Sequence, residues 1–546
     1  MPTNQAPVAC HNCRRLKRRC TRELPFCSLC VRLGKSCHYS PRDSVRPGSE
    51  SSAVSSSRVD PFITPDALVG SSSDRASSSS VTPTPGLRDS APEFPSSFFL
   101  DPEFFNPLTV DSLNTAALPL TIPCLTSLGM DLVGICHAYV ATINQWLPIL
   151  SPKRLCTDVV QINPVDPDPG LVLLLACIRL LSDASYSGRC QEYKVAKALA
   201  SSVENEGIIS LRLVQSIALL GWYELAHGIY PSAYLTSGHG ARLVVLGCFH
   251  NQERQTPHLF KIADTWTVRE EERRVSWGLF ILEKFLHAGT GVLPQMIPKM
   301  ATGLSLPIND IGWSKGDLDT SESSLVLSSI SADIGSMGRF ATTCQAAHLY
   351  CHALTHRDAG KDGEPLPDES FRLDEALQLH RTLSALDESL ALDDTAEANI
   401  EAVALLSTAR YILYNMYSCK GLDIRCEPEK LRRQVEMQRA SVKGVMDLSA
   451  NRVPRIANII IELLAVGTAE TRGRNVSPIV CHTLYHAATE CAWFIREGCG
   501  PEMTAGLNVV VSALDQLKGS WDVAEHYYNL LGYEETVAKM FNIPPP

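Results

Sequence analysis

"CHNCRRLKRRC", Cys10–Cys20, sets five basic side chains between three cysteines. Cations at that density repel one another unless negative charge lies close by. Thiolates around a metal supply some of it, and a phosphate backbone would supply more. The cysteines continue at fixed intervals, Cys10-x2-Cys13-x6-Cys20-x6-Cys27-x2-Cys30-x6-Cys37, so that C-x2-C-x6-C occurs twice around "TRELPF". A structural zinc ion takes four ligands in a tetrahedron, with Zn–S bonds near 2.3 Å. Six cysteines either hold one ion and leave two ligands spare, or hold two ions if two sulfurs bridge. The internal repeat favours the pair of ions.

Working outward, residues 1–9 read as a short disordered lead and 10–40 as a compact cysteine module. Composition then changes abruptly. "PGSESSAVSSS", "SSSDRASSSS" and "VTPTPG" are rich in Ser and Pro and poor in aliphatics, too polar to offset the entropy of ordering the chain. Residues 41–123 are therefore expected to form a disordered linker. "EFPSSFFLDPEFF" (Glu93–Phe105) within it reads as a strap docking on the next domain, with a small interaction motif as the rival reading. The prolines and the lack of apolar heptads predict no coiled coil directly after the module.

From 124 to 546 the apolar pattern is helical almost throughout. Val214, Ile217, Ala218, Gly221 and Leu225 recur at helix spacing and predict one apolar face. "VALLSTARYILYNMYSC" (Val403–Cys419) and "VREEERRVSWGLFILEKF" (Val268–Phe285) follow the same rule, and alternating strand patterns are scarce. The expected fold is a small binuclear zinc-cluster module plus a large all-α regulatory domain. Its length exceeds what one compact core usually covers, which predicts two packed helical lobes.

Charge separates the two regions. The 546-residue chain carries a net charge of −10. Between Cys10 and Cys37 stand Arg14, Arg15, Lys17, Arg18, Arg19, Arg22, Arg32 and Lys35 against Glu23 alone. The module is thus about +7 and the remainder about −17, which points to a polyanionic partner for the module. The greasy stretches Leu171–Leu181 and Ile456–Gly467 are too short to span a bilayer. "MPTNQAPVAC" does not read as a signal peptide, and nineteen cysteines without a leader fit a reducing compartment.

The cysteine spacing resembles, at every position, that of the fungal binuclear zinc-cluster transcription factors. The resemblance implies two zinc ions, with Cys10 and Cys27 bridging, Cys13 and Cys20 completing one ion and Cys30 and Cys37 the other. Pro25 stands where the family carries a loop proline. Two Zn²⁺ with six thiolates leave the module at about +5, so phosphate neutralisation is the natural use of the surplus. The resemblance further implies that a short helix starting near Cys13 enters the major groove, with Lys17, beside Arg18, reading the guanines of a CGG triplet through O6 and N7. Arg14, Arg15, Arg19 and Arg22 are assigned to phosphate, with a solvated charge as the rival reading for Arg15 and Arg22. "RRLKRR" also suits a nuclear import signal.

"INQWLPILSPKRL" (Ile143–Leu155), "YELAHGIYPSAYLTSGHGARLVVLGCF" (Tyr223–Phe249) and "EERRVSWGLFILEKFLHAGTG" (Glu271–Gly291) resemble the helical middle-homology region of the same regulators, over about 125–330. In the last, acids and bases are expected to pair on the surface or between helices around a buried Trp277. "CHTLYHAATEC" sets Cys481, His482, His486 and Glu490 near one helix face, but it lacks the glutamate that a zinc-protease helix places after its first histidine, and it reads as packed side chains. "SGHGAR" (Ser237–Arg242) has no preceding strand to make a phosphate cradle, and no nucleophile elbow is found. The acidic run "LSALDESLALDD" (Leu383–Asp394) reads as a solvated helix face, with contact to the transcription machinery as the rival.

Together these readings imply a nuclear, sequence-specific DNA-binding transcription regulator rather than an enzyme. By resemblance it is an activator, closest in kind to regulators of secondary-metabolite biosynthetic gene clusters. Its partners are double-stranded DNA with CGG-type triplets and the transcription machinery; monomer or homodimer is left open, as is a small-molecule effector. The alternative is a helical ligand-binding receptor in which sensing is primary.

Overall fold

The computed structural model describes Cys10, Cys13 and residues 20–32, 37–38, 118–247, 249, 263–290, 295–297, 305–315, 337–361, 368–390, 392, 398–466 and 473–544. The expected lead (1–9), the strap and the stretch assessed for a coiled coil lie outside these residues. Apart from isolated bridges, the regular structure among the described residues is helical.

Among the described residues of the amino-terminal unit, Ser28–Arg32 form a short helix, α1. The body begins with α2 (Thr121–Leu128), ahead of the expected start at 124, and Leu118 before it is already buried. Then come α3 (Leu132–Ala141), α4 (Pro152–Val160), α5 (Pro169–Ser182), α6 (Gln191–Asn205) and α7 (Leu211–Ala226). The central helices are α8 (Ser232–Leu246), α9 (Trp266–Thr290), α10 (Asp310–Lys315), α11 (Arg339–Asp358), α12 (Glu369–Ser389) and α13 (Ile400–Asn415). The last are α14 (Pro428–Asp447), α15 (Val453–Val466), α16 (Ile479–Arg496), α17 (Pro501–Leu517), α18 (Asp522–Leu530) and α19 (Glu535–Phe541).

Local chemistry starts these helices where the sequence punctuates them. Asp168 accepts from the Gly170 N–H at 2.9 Å, with Pro169 opening α5. The Ser210 hydroxyl accepts from Leu213 N at the start of α7, and Asn399 Oδ1 from Ala402 N at the start of α13. Each cap satisfies a backbone N–H that the first turn leaves without a partner. α5 is the apolar run Leu171–Leu181, buried almost completely. Among the described residues no single helix is long and apolar enough to cross a membrane.

Two expectations need correction. α7 is buried on every side from Leu213 to Ala226 rather than along one face. Neighbouring helices close round it, and α9 comes so near that a Cβ on Gly221 would stand 2.8 Å from Leu282 Cδ2. Nor does the body divide into two lobes; one connected apolar core runs from Leu118 to Ile543. The join is an aromatic knot. Trp146 packs edge-on against Trp222 at 5.2 Å and against Trp521 at 6.5 Å. Arg474 lies 4.2 Å over the Trp521 ring, and its backbone carbonyl accepts from Trp146 Nε1 at 2.9 Å. A guanidinium stacked on indole gains both cation–π and packing energy. The segments it ties together lie far apart in the chain, so the two halves share one interior.

Candidate metal centre and nucleic-acid interface

Cys10, Cys13, Cys27, Cys30 and Cys37 are buried and Cys20 is partly so, whereas Leu24, Phe26 and Val31 of the same module are exposed. Their sulfurs form two tetrads, Cys10–Cys13–Cys20–Cys27 and Cys10–Cys27–Cys30–Cys37, each with its ligand atoms within 4.8 Å of one another. Cys10 and Cys27 belong to both. The backbone repeats the sequence symmetry: Cys13 N–H donates to Cys10 Sγ at 3.4 Å, as Cys30 N–H donates to Cys27 Sγ at 3.4 Å. Cys10 N–H is directed at Cys20 Sγ at 3.5 Å, and Cys27 N–H at Cys37 Sγ at 3.3 Å.

The sulfur separations test the fit to metal. Two ligands on a tetrahedral zinc with 2.3 Å bonds stand about 3.8 Å apart. Cys10 Sγ lies 3.8 Å from Cys27 Sγ and 3.7 Å from Cys30 Sγ, and Cys13 Sγ lies 3.7 Å from Cys27 Sγ. Without a cation such crowding opposes ionisation. Burial pushes the Cys10 and Cys13 thiols up, and Cys27 to about 12. Burial acts the same way on Cys20, but N–H groups from Cys10 and Arg22 outweigh it and bring that thiol down to about 7. A divalent ion reverses the balance for the whole set by displacing the protons.

The loop between the two halves positions the second tetrad. Thr21 Oγ1 accepts from Ser28 N at 3.0 Å and from the Ser28 hydroxyl at 2.9 Å, fixing the start of α1. Arg22 takes a left-handed backbone (φ 62°) that turns its N–H toward Cys20 while its side chain stays exposed. Of the residues expected to contact DNA, Arg22 is described; Arg14, Arg15, Lys17, Arg18 and Arg19 lie outside the described residues.

The body's other candidate constellations resolve into packing. His482 Nε2 and His486 Nε2 face each other at 3.2 Å, burial pushes both rings down, and His486 falls to about 4. Cys481 is a core residue and Glu490 binds Asn415 at 3.2 Å. Among the described residues the metal-binding groupings are the two cysteine tetrads. "SGHGAR" is the interior of α8, where Gly240 packs against Leu279. Cys177 is core, as expected, and Cys248 lies outside the described residues.

In the acidic run, the structure departs from a solvated face. Asp387 is buried and binds Arg410 at 2.6 Å and Arg452 at 3.0 Å, with Leu383, Leu386, Leu390 and Leu392 buried around it. The "EERR" segment also points inward. Arg274 is fully buried and donates to Glu270 at 2.9 Å, Asp310 at 2.9 Å and the Ile308 carbonyl at 2.8 Å. Glu271 accepts from Ser151 N at 2.8 Å and pairs with Arg154. These pairs do link helices across a buried Trp277, but they are internal rather than at the surface.

A cationic six-cysteine module and a large helical domain on one chain define a transcription regulator that carries its own metal-built DNA-binding head. Residues 8–46 match the fungal Zn(2)-Cys(6) binuclear cluster domain, and residues 138–356 match the fungal specific transcription factor domain. Transcription factor BOA15 of Botryotinia fuckeliana (strain B05.10) is 34% identical over 142 residues, covering 25% of this chain and 76% of that protein. The depudecin biosynthesis cluster-specific transcription activator DEP6 of Fusarium langsethiae is 23% identical over 347 residues, covering 52% of this chain and 57% of its own. Its Alternaria brassicicola counterpart is 28% identical over 151 residues, covering 25% and 23%. No solved structure matches. The chain belongs to the fungal zinc-cluster transcription factor family, and zinc is its cofactor.

Proposed function

We propose that this protein is a nuclear activator of a biosynthetic gene cluster that docks its zinc module on CGG-type triplets. The carrying observation is the pair of tetrads sharing Cys10 and Cys27 inside a strongly cationic segment. Two zinc ions held there by Cys10, Cys13, Cys20, Cys27, Cys30 and Cys37 supply the framework that a module of this size needs in order to fold. The chain's own residues do the recognition. Lys17, with Arg18, donates to guanine O6 and N7; Arg14, Arg15, Arg19 and Arg22 neutralise phosphate and fix the register. The assignment to biosynthetic-cluster control is supported by what the DEP6 relatives are named for.

Selection from random duplexes with the full chain tests this reading. A CGG-type triplet is expected to be enriched, singly for a monomer and at fixed separation for a dimer. Lys17→Ala should erode the preference for guanine by about 1–3 kcal/mol, whereas Arg19→Ala should weaken all sequences alike and flatten the salt dependence by about one unit of slope. Equal losses on specific and scrambled duplexes for Lys17→Ala would remove its base-reading role.

A further inference from the structure

Just past the region matched to the family's domain, a cleft of about 370 Å³ opens between the first turn of α12, the chain leaving α13 and the middle of α14. It lies within the size range of small-molecule sites, roughly 300–1,000 Å³. Leu373, Met416, Tyr417 and Leu422 give it apolar walls; Arg372, Lys420 and the carboxylate of Glu369 give it charge. Arg372 keeps spare donors, and Lys420 is shared between Glu369 and the Tyr417 ring, whose centroid lies 5.7 Å from its ammonium. Arg372 donates one Nη2 bond to the His356 carbonyl at 3.2 Å, and its buried Nε has no hydrogen-bond partner. No carboxylate among the described residues pairs with that guanidinium. Lys420 gives one bond to Glu369 at 3.2 Å, a carboxylate already held by Lys430 at 2.6 Å.

The walls are fixed rather than floppy. Tyr417 is tied by its hydroxyl to His356 Nε2 at 2.8 Å, and His356 Nδ1 is tied to Glu375 at 2.7 Å. Gln438 Nε2 donates to the Lys420 carbonyl at 3.0 Å, and Gln434 accepts from Asp423 N at 3.1 Å, so the loop after α13 is anchored to α14. A buried N–H with nothing to bind is costly unless a ligand or ordered water completes it. A cavity with aliphatic and aromatic walls, a guanidinium that no carboxylate among the described residues pairs, and two cations against the one carboxylate of Glu369 suits an apolar molecule with an anionic end.

We propose that this cleft is an effector site for an amphipathic carboxylic acid, its carboxylate on Arg372 and Lys420 and its apolar body against Leu373, Met416, Tyr417 and Leu422. The site belongs to the body and does not depend on the DNA-binding reading, so the two stand or fall separately.

The full-length protein is to be heated with decanoate, and with decan-1-ol at equal concentration, while its intrinsic fluorescence is followed. Decanoate is expected to raise Tm saturably, and the alcohol to need at least tenfold more for the same shift. Arg372→Gln should weaken decanoate at least tenfold. Gly421→Trp should abolish the shift by filling the cleft, since a Cβ at Gly421 meets nothing within 4 Å. Both variants should keep the ligand-free Tm; if Gly421→Trp does not, Leu422→Trp replaces it as the blocking variant. No shift with decanoate, the same shift with the alcohol, or an undiminished shift in the blocked variant overturns the proposal. Operator binding, measured in parallel, separates that failure from failure of the DNA-binding reading.

Discussion

The chain solves the problem of burying cysteine in two ways. In the amino-terminal module, Cys10 and Cys27 are fully buried, and among the described residues they cluster with the other four cysteines and with backbone N–H groups. In the body, Cys177, Cys344 and Cys481 are just as buried, but among aliphatic and aromatic neighbours, where a thiol behaves as a small hydrophobe. Burial pushes Cys481 up to about 12, and among the described residues no other cysteine is grouped with it for a cation. The first region gathers its sulfurs into tetrads that suit a cation; the second packs its thiols into an apolar core. What differs is not the residue but the number of sulfurs brought within reach of one another.

The sharpest way to break this comparison is to remove one sulfur from each region. Cys10→Ala takes a ligand from both tetrads at once and should reduce operator binding by more than about a hundredfold, since structural zinc supplies most of the folding energy of such modules. The body's thermal transition should be unchanged. Cys177→Ala should do the reverse: operator binding is retained and the body loses about 1 kcal/mol for the small void left behind. Similar effects of the two substitutions on operator binding would erase the distinction.

The second contrast concerns charge. The module displays its cations for a partner, whereas the body consumes its own inside. Arg274, fully buried between Glu270 and Asp310, is the clearest case. Arg274→Ala leaves two carboxylates facing an empty site and should destabilise the body by about 3–5 kcal/mol in denaturant unfolding. Arg274→Lys should recover part of the loss but not all, because an ammonium lacks the planar fork that reaches both carboxylates. A cost below about 1 kcal/mol would mean that the pairing is incidental.

These contrasts also mark what could be read from the residues alone. The metal centre was legible because all six ligands sit in one short stretch, so spacing carries the geometry directly. The helices were legible from apolar recurrence, as in Val268–Phe285 and Val403–Cys419. The single core was not, because the knot of Trp146, Trp222, Arg474 and Trp521 is assembled from distant segments, and "TRGRN" around Arg474 reads as an ordinary polar loop. A buried acid was misread for the same reason. Asp387 looks like a solvated helix residue until Arg410 and Arg452 arrive from elsewhere in the chain. The cleft beside Arg372 is a shape between three helices, which periodicity along any one of them does not encode.

The central claim is that two zinc ions, shared through Cys10 and Cys27, hold the amino-terminal segment as a folded cationic head. Native mass spectrometry of the full-length protein tests it most directly. Two zinc ions per chain, lost together on chelation along with operator binding, is the expected result; a single ion, none, or operator binding that survives complete metal removal would contradict it.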